Sequence, residues 1–299
     1  MTREIGFLLH PGEQHAAEAA AARAHELGFE VWIEVREPEA VLAEHADATE
    51  LLVTIGGDGT FLYGARLAAP RGIPVLGVNR GRLGFLTDVE VADLPRALEE
   101  FAAGRYHTQR RSMLEAIVPG DGDNPPWQTL ALNEVAVKSS GVAVARIRVE
   151  QDGELLGDFD ADGVVVATAT GSTAYALSAG GPPIDPRVRA IVVVPLAPHA
   201  VITRAIVLPE VVTLRITVER GRVNVAADGI SEIRLRHAAE MLIRPGPELA
   251  FVRFDDSPSF LRRLREKVRF GLPLKGLERP DLLRPNDADE VSPVIEARR

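Results

Sequence analysis

A short glycine-rich loop surrounds a single carboxylate in the stretch LLVTIGGDGTFL, residues 51–62. Gly56, Gly57 and Gly59 flank Asp58, and Thr60 follows. Glycines allow the backbone to approach a ligand closely, and free N–H groups at the start of a helix attract anions. The loop therefore predicts a cradle for phosphate that contains a carboxylate. An ordinary Asp-Gly turn between two strands is the alternative.

The residues on either side of the loop favour a strand before it and a helix after it. The apolar run at residues 51–55 is typical of a buried parallel strand. After the loop, apolar residues recur at the spacing of a helix: Phe61, Leu62, Ala65, Ala68 and Ala69. A strand, a loop and a helix in this order would aim backbone N–H groups at an anion above the loop.

A second segment of this kind is DGVVVATATGSTAYALSAGGP, residues 162–182. A strand-like run ends in a Thr/Gly/Ser loop that opens a helix at Ser172 or Thr173. For this segment alone, a helix N-cap is the simpler explanation. Two loop-to-helix anion sites in one chain, one of them with a carboxylate, favour a ligand-binding role.

Two polar pairs interrupt strand-like segments elsewhere in the chain. Asn133 and Glu134 are poor strand formers, and they could bind a ligand, close a ladder or pair a charge. Asp228 and Gly229 predict a hairpin turn.

The composition indicates a globular protein of roughly two domains, since 46% of its 299 residues are hydrophobic. The net charge of −9 argues against nonspecific binding to nucleic acid or to membrane surfaces. The absence of cysteine excludes disulfides and thiolate metal sites. The start has too short an apolar run for a signal peptide, and no apolar run of 18 residues occurs elsewhere, so we expect a cytoplasmic protein.

Strand-like and helix-like segments alternate through the first hundred residues, which predicts an α/β domain with a parallel sheet. From about residue 106 the pattern changes to strands and turns rich in Val, Ile and Leu. We predict the α/β domain at residues 1–105, with a segment at about 250–275 that returns to it. A β-rich domain follows at 106–249, and a mobile tail is predicted at 276–299.

Several familiar motifs are absent. The sequence has no GxxxxGK[ST], no GxGxxG, and neither HExxH nor GxSxG. The stretch DFDADG at residues 158–163 copies the opening of a calcium loop, but Ala169 stands where the bidentate Glu should be. We therefore predict no metal site built by the protein alone.

Together, these stretches resemble the NAD kinase family. The elements occur in the order and approximate spacing of that family: GGDGT (56–60), GVNRGRLGFLT (77–87), NE (133–134), the block at 162–182 and ADG (227–229). GGDGT alone is shared with lipid and sphingosine kinases and loosely with phosphofructokinases. The NE pair and the TGSTAY sequence narrow the resemblance to NAD kinases, and it spans roughly residues 5 to 270.

The resemblance implies a phosphotransferase that phosphorylates the 2′-hydroxyl of the adenosine ribose of NAD and so gives NADP. The donor would be ATP or polyphosphate, with a divalent cation, Mg²⁺, carried by the nucleotide. Asp58 matches the general base, and the phosphate loop matches Gly56, Gly57, Gly59 and Thr60. The residues that match the NAD pocket are Asp58, Gly59, Phe85, Asn133, Glu134, Asp162, Thr173, Ala174, Tyr175, Ala176, Leu177 and Ser178.

The same resemblance implies an α/β domain followed by a β-sandwich that binds NAD, assembled as a homodimer or homotetramer. Three positions depart from the family pattern. Asp160 stands where Arg is common, Ala169 where Pro is frequent, and Ile230 where Gln is frequent. Asp160 leaves the preference between NAD and NADH open. A superfamily kinase for a lipid or another alcohol, or an inactive NAD(P)-binding sensor, remain alternatives.

Overall fold

The computed structural model describes residues 2–35, 38–80, 84–120, 126–141, 143–199 and 203–270. The described residues up to Phe260 form one compact unit, and a second unit begins at Leu261. The first unit opens with alternating strands and helices: β1 (Glu4–Leu9), α1 (Gln14–Glu26), β2 (Glu30–Glu34), α2 (Pro38–His45), β3 (Thr49–Gly56), α3 (Asp58–Ala68), β4 (Val75–Asn79), β5 (Val89–Glu90) and α4 (Leu94–Ala102).

The rest of the first unit consists mostly of strands. They are β6 (His107–Val118), β7 (Trp127–Ala131), β8 (Glu134–Ser139), β9 (Ala145–Gln151), β10 (Glu154–Ala161), β11 (Gly163–Thr168), β12 (Ala190–Leu196), β13 (Ile206–Pro209), β14 (Leu214–Arg220), β15 (Val223–Ala227), β16 (Ser231–Leu235) and β17 (Glu240–Arg253). The short helix α5 (Tyr175–Ser178) lies between β11 and β12, and α6 (Phe260–Val268) follows β17.

Parallel pairing organises the α/β part, where the strands lie in the order β2, β1, β3, β4, β5. On one face of β3, Leu51 and Val53 pack in a cluster with α1 and α4. On the other face, Leu52 packs in a cluster with α3. Burial on both faces explains the continuous apolar run of β3. The predicted α/β fold of this part is confirmed.

The sheet continues from β4 into antiparallel strands through β17. Near its C-terminal end, β17 pairs parallel with β4, where Phe251 lies opposite Val75. Along its length, β17 pairs antiparallel with β6 and β14. In the described residues the order is β10, β9, β14, β17, β4, β3, β1, β2, with β5 beside β4, β6 beside β17 and β7 beside β6. One long strand therefore joins the α/β part to the β-rich part.

A second, antiparallel sheet packs on the β-rich part of the first. Its order in the described residues is β13, β12, β11, β8, β15, β16. The core between the two sheets includes Val137 and Val166 of the second sheet and Ile147, Ile216 and Met241 of the first. Two sheets around one apolar layer form a sandwich, which confirms the predicted β-rich part.

The predicted domain boundaries remain predictions, because residues 1–105 and 106–249 lie within one compact unit. In the second unit, α6 carries an ion pair between Arg262 and Glu266, one turn apart. The predicted tail at 276–299 lies outside the described residues. Among the helices of the described segments, none is long and apolar enough to cross a membrane.

Candidate active site

The glycine loop joins a strand to a helix, as predicted, and is not a hairpin. β3 ends at Gly56, Gly57 precedes the helix in extended conformation, and Asp58 is the first residue of α3. A Cβ built on Gly57 or Gly59 would meet no described atom within 4 Å. The mouth of the loop is therefore open, and the N–H groups of the first turn of α3 point toward it.

Asp58 is half-buried and is held by the segment that follows β4. Its carboxylate accepts the N–H of Phe85 at 3.1 Å and the N–H of Leu86 at 3.2 Å. Gly84 permits this approach, since a Cβ there would lie 1.9 Å from Oδ1 of Asp58. The structure thus brings together two of the predicted site residues, Asp58 and Phe85.

The segment that holds Asp58 is itself anchored at Asp88. The N–H of Asp88 donates to the carbonyl of Gly77 on β4 at 3.1 Å. Its carboxylate lies 3.2 Å from Nε of Arg253 on β17, and both side chains are about nine-tenths buried. Removing one partner of a buried ion pair leaves an uncompensated charge, so loss of either side chain would destabilise this anchor.

Asn133 and Glu134 lie at the start of β8, and Asp228 holds their backbone. The Asp228 carboxylate accepts the N–H groups of Leu132 at 2.8 Å, Asn133 at 2.8 Å and Glu134 at 3.0 Å. In return, the N–H of Asp228 donates to the carbonyl of Glu134 at 3.0 Å. Asp228 lies in the turn between β15 and β16, so the predicted hairpin is present and carries a buried carboxylate.

Thr168, the last residue of β11, holds the same segment from the other side. Its N–H donates to the carbonyl of Asn133 at 2.9 Å, and its hydroxyl donates to the carbonyl of Leu132 at 2.6 Å. Gly171 packs directly on Asn133, where a Cβ would lie 2.0 Å from the carbonyl oxygen. The Asn-Glu pair and the Thr/Gly/Ser loop, which are far apart in sequence, therefore meet.

The loop itself is closed by a buried hydroxyl rather than by an N-cap. Ser172 accepts the N–H of Ile184 at 2.7 Å and donates to the carbonyl of Ala169 at 2.7 Å. The predicted helix is split into a 3₁₀ turn at Gly171–Thr173 and α5. The predicted pocket residues of this block follow one another along it: Thr173, Ala174, Tyr175, Ala176, Leu177 and Ser178.

The outer face of the second sheet, opposite the sandwich core, carries α5. Ala176 packs there in a cluster with Ala136 of β8. Strand alternation places Glu134 and Lys138 on the same face of β8 as Ala136. Nζ of Lys138 lies 5.7 Å from the centroid of the Tyr175 ring. Glu134, Tyr175 and Lys138 thus line one side of this face.

Glu134 and Asp228 are two half-buried carboxyl groups, and the charge of Asp228 acts on Glu134. Burial and, to a smaller extent, the charge of Asp228 raise the pKa of Glu134 to about 7, while the hydrogen bond from the N–H of Tyr175 opposes the shift. Burial also raises the pKa of Asp228, but its three backbone N–H donors lower it. Among the described residues, the backbone donor that acts on Glu134 is the N–H of Tyr175, whereas three backbone donors act on Asp228. Oε2 of Glu134 is buried and has no hydrogen-bond partner among the described residues.

Asp162 lies at the opposite end of β11 from this cluster. It is exposed in the turn before β11, whose register pairs Gly163 with Lys138 and Ala167 with Glu134. Ala167 lies five positions along the chain from Asp162, which is about 17 Å at 3.3 Å per position in a strand. The role of Asp162 in NAD binding remains a prediction.

Asp160, which inverts the charge expected from the resemblance, is held by two arginines. Its carboxylate lies 3.0 and 2.5 Å from Nε and Nη2 of Arg146 and 3.0 Å from Nη2 of Arg220. The hydrogen bonds from Arg146 keep the pKa of Asp160 below its usual value. Asp158 pairs with Arg148 in the same way, so this stretch is a strand whose carboxylates are engaged.

The Asp58 and Glu134 regions adjoin through one apolar cluster. Leu132, directly before Asn133, packs in the same buried cluster as Phe61 of α3 and Leu86. Phe61 lies one turn beyond Asp58, and Leu86 is one of its N–H donors. The fold therefore joins the segment that carries the anion loop and its carboxylate to the segment that leads into Glu134. This arrangement suits transfer of a phosphoryl group to a hydroxyl.

Comparisons with known proteins identify the family. The model of the ATP-NAD kinase N-terminal domain matches residues 8–106, and that of the C-terminal domain matches 132–253. An NAD kinase of Heliobacterium modesticaldum is 41% identical over 251 residues, which cover 79% of this chain and 84% of that protein. This chain belongs to the NAD kinase family. As a member, it is an enzyme of the kinase class.

Other relatives support membership in the NAD kinase family. The NAD kinase of Methylibium petroleiphilum is 34% identical over 283 residues, 89% of this chain and 93% of that protein. A yeast NADH kinase solved with NADH superposes with a TM-score of 0.80 at 26% identity, covering 91% of this chain and 89% of that one. An NAD kinase of Archaeoglobus fulgidus solved with ATP gives 0.70 at 25% identity, covering 89% and 98%.

Sequence reasoning missed three residues that shape this NAD kinase site. Asp228 was predicted as a turn former and as part of the ADG element of the resemblance, but no contact with Asn133 or Glu134 was predicted for it. Lys138 carried no signal, because nothing in a strand pattern pairs it with Tyr175. Gly84 lies in the GVNRGRLGFLT motif, but its contact with Asp58 depends on the tertiary fold.

In the part of the chain that the structure describes, no group of three His, Asp or Glu side chains could hold a metal ion.

Proposed function

We propose that this protein transfers the γ-phosphoryl group of ATP to the 2′-hydroxyl of the adenosine ribose of NAD and so forms NADP. The observation that carries the proposal is the carboxylate of Asp58 at the open mouth of the glycine loop. The relatives support the two substrates, since one was solved with NADH and another with ATP.

Asp58 is assigned the role of general base. As the ribose oxygen attacks the γ-phosphorus, its proton passes to Asp58 and the bond to the β–γ bridging oxygen breaks, which releases ADP. A hydroxyl is a weak nucleophile, and a positioned base contributes about 10² to 10⁴ in rate. The N–H groups of Phe85 and Leu86 fix the two carboxylate oxygens, and each oxygen keeps a lone pair for the proton.

The glycine loop is assigned to the phosphates of ATP. Gly57 and Gly59 are exposed, and the space beside each is open among the described residues, so phosphate oxygens could reach the N–H groups of α3. The positive end of the helix dipole lies at the same place. Polyphosphate, which presents the same phosphate chemistry, is the second candidate donor.

Mg²⁺ is assigned to the nucleotide rather than to a protein cage. The described residues offer no three-ligand cluster, and Mg²⁺ is commonly held by phosphates, water and one or two carboxylates. Asp58 is the carboxylate of the loop that could contribute to this shell. The bound ion would neutralise charge on the transferred group.

The Asn133 and Glu134 side chains are assigned to the hydroxyl groups of NAD. Oε2 of Glu134 is buried without a described partner, so a ligand hydroxyl could donate to it. Phe85 would pack near the adenine. The run from Thr173 to Ser178 would line the rest of the pocket, on the sheet face where α5 lies.

The test is formation of NADP by the purified protein with NAD, ATP and MgCl₂, beside Asp58→Asn. We expect kcat to fall by roughly 10²- to 10⁴-fold in Asp58→Asn, with the Kd for NAD within about threefold. The control is Asp47→Asn, an exposed aspartate in the turn before β3, at the opposite end of that strand from the glycine loop. A folded Asp58→Asn enzyme with wild-type kcat would remove the base assignment.

The same assay separates the alternatives. A kinase for a lipid or another alcohol would form no NADP but would consume ATP with its own acceptor. An inactive sensor would bind NAD or NADP by calorimetry and form no product with ATP or polyphosphate. The NE pair and the TGSTAY sequence favour NAD kinase over both.

Location in the cytoplasm and assembly as a homodimer or homotetramer belong to the same proposal. Cell fractionation tests the first. Light scattering of the purified protein tests the second, where a mass near 32.3 kDa would indicate a monomer.

A further inference from the structure

A buried carboxylate outside the predicted site organises the residues that would recognise NAD. Asp228 lies in the β15–β16 turn with a positive φ of 51°, followed by Gly229 at 66°. Non-glycine residues rarely adopt this conformation, and Asp tolerates it better than most. The turn directs the carboxylate inward, against the chain that leads into β8.

Three consecutive N–H groups surround this carboxylate, those of Leu132, Asn133 and Glu134, at 2.8, 2.8 and 3.0 Å. A charged acceptor makes stronger hydrogen bonds than a neutral one, especially where water is excluded. Thr168 bonds the carbonyls on the other side of the same segment. The backbone that bears Asn133 and Glu134 is thus fixed from both sides.

Resting on the proposed function, we propose that Asp228 is a positioning residue for NAD recognition: it fixes the backbone that carries the Asn133 and Glu134 side chains. Backbone N–H groups use three of the roughly four acceptor positions of its carboxylate, so we assign it a role through these residues rather than a contact with the substrate. Its contribution is to NAD binding rather than to the proton transfer at Asp58.

The charge of Asp228 also affects the ionisation of Glu134 and, through it, the binding of NAD. Among the described residues, the charged side chain that acts on Glu134 is Asp228, and Arg66 on α3 acts on Asp228. The negative charge of Asp228 makes ionisation of Glu134 harder. An ionised Glu134 is the better acceptor for a ribose hydroxyl, so NAD should bind more tightly as pH rises through Glu134's titration.

The test compares wild-type protein with Asp228→Asn, which keeps the shape and the turn conformation but removes the charge. At pH 8, where Glu134 is mostly ionised in both proteins, we expect the Kd and KM for NAD to rise roughly tenfold to hundredfold, the range for a lost charge-assisted hydrogen bond. We expect the KM for ATP to stay within about twofold. The midpoint of the pH dependence of NAD binding should move to lower pH, because Glu134 loses a negative neighbour.

Asp152→Asn is the matched control. Asp152 also has a positive φ, of 50°, precedes a glycine in a hairpin turn, and accepts one backbone N–H, that of Thr213, at 3.1 Å. It is exposed and lies between β9 and β10, so it shares the turn chemistry of Asp228 but not its contact with Asn133. We expect this variant to bind NAD as the wild type does.

Two outcomes would overturn the inference. One is an unchanged NAD affinity and pH midpoint in Asp228→Asn, which would show that the charge does not act on Glu134. The other is a loss of NAD and ATP binding in the same proportion, with a lowered Tm, which would indicate a general structural role. Calorimetry measures NAD binding without turnover. A wild-type protein that binds NAD but forms no NADP would therefore refute the proposed reaction and leave the inference about Asp228 open to the same binding test.

Discussion

Glu134 makes the stability of the free protein depend on pH, and replacing it by Gln tests this directly. Its pKa is about 7 in the folded protein against 4.5 for the free side chain, because burial and Asp228 disfavour the charge. Between these two values the folded state binds more protons than the unfolded state. The free energy of unfolding therefore falls as pH rises from about 4.5 to about 7, and the loss is complete above pH 7.

The size of the effect follows from the shift. A difference of 2.5 pKa units corresponds to about 3 kcal/mol when Glu134 is fully ionised. At pH 5 the unfolded carboxyl is already mostly ionised, so part of this loss has already occurred. Between pH 5 and pH 8, the ionisation of Glu134 should lower the free energy of unfolding of the wild type by about 2.5 kcal/mol. Glu134→Gln has no proton to lose. Relative to wild type, its free energy of unfolding should therefore rise by about 2.5 kcal/mol between these pH values.

Urea unfolding at pH 5, 6, 7 and 8 measures this difference without any ligand. Glu154→Gln is the control, because Glu154 is an exposed glutamate on β10 and its replacement removes one carboxyl without changing a buried site. We expect the control to follow the wild type at every pH. If the free energy of unfolding of Glu134→Gln followed that of the wild type in parallel at all four pH values, Glu134 would ionise in the folded protein at no cost in stability. The reasoning about Glu134 and Asp228 would then fail.

Three further predictions concern close contacts and charge. Gly84→Ala would place a methyl group 1.9 Å from the Asp58 carboxylate, which can move, so kcat should fall at least about tenfold with little change in Tm. Gly171→Ala would place a methyl group 2.0 Å from a backbone carbonyl oxygen, which cannot easily move. Urea unfolding should therefore show a free energy of unfolding lower by about 1–3 kcal/mol, and an unchanged value would contradict the contact. Asp160→Arg would set a third guanidinium beside Arg146 and Arg220, so calorimetry should show a lower Tm than for Asp160→Ser, and a higher one would indicate a different side-chain position.

The sequence predicted the elements of this fold because their signals are local. A continuous apolar run followed by glycines and a helical spacing identified β3, the loop and α3 before any contact was known. The change of rhythm near residue 106 located the β-rich part for the same reason. The single strand β17, which belongs to both parts, was not predicted as such, since strand pairing over long sequence separations leaves no local pattern.

The site was predictable as a set of motifs but not as an arrangement. The motifs singled out Asp58, Asn133 and Glu134, yet nothing in them showed that Glu134 is buried beside Asp228. The register of β8 and β11 then places Asp162 at the far end of the sheet from Glu134. Burial and register are properties of the packed chain, and a spacing pattern does not contain them.

The same structural device holds two carboxylates in this protein, which makes their amide variants directly comparable. Asp58 accepts two backbone N–H groups from the segment after β4, and Asp228 accepts three from the segment before β8. In either case, Asn removes one charge and turns an NH₂ group toward a backbone donor. If Asp58 is a base and Asp228 a positioning residue, the first variant loses kcat and the second loses NAD affinity. Identical profiles would reduce both residues to anchors of their loops, because the chemical change is the same and only the position differs.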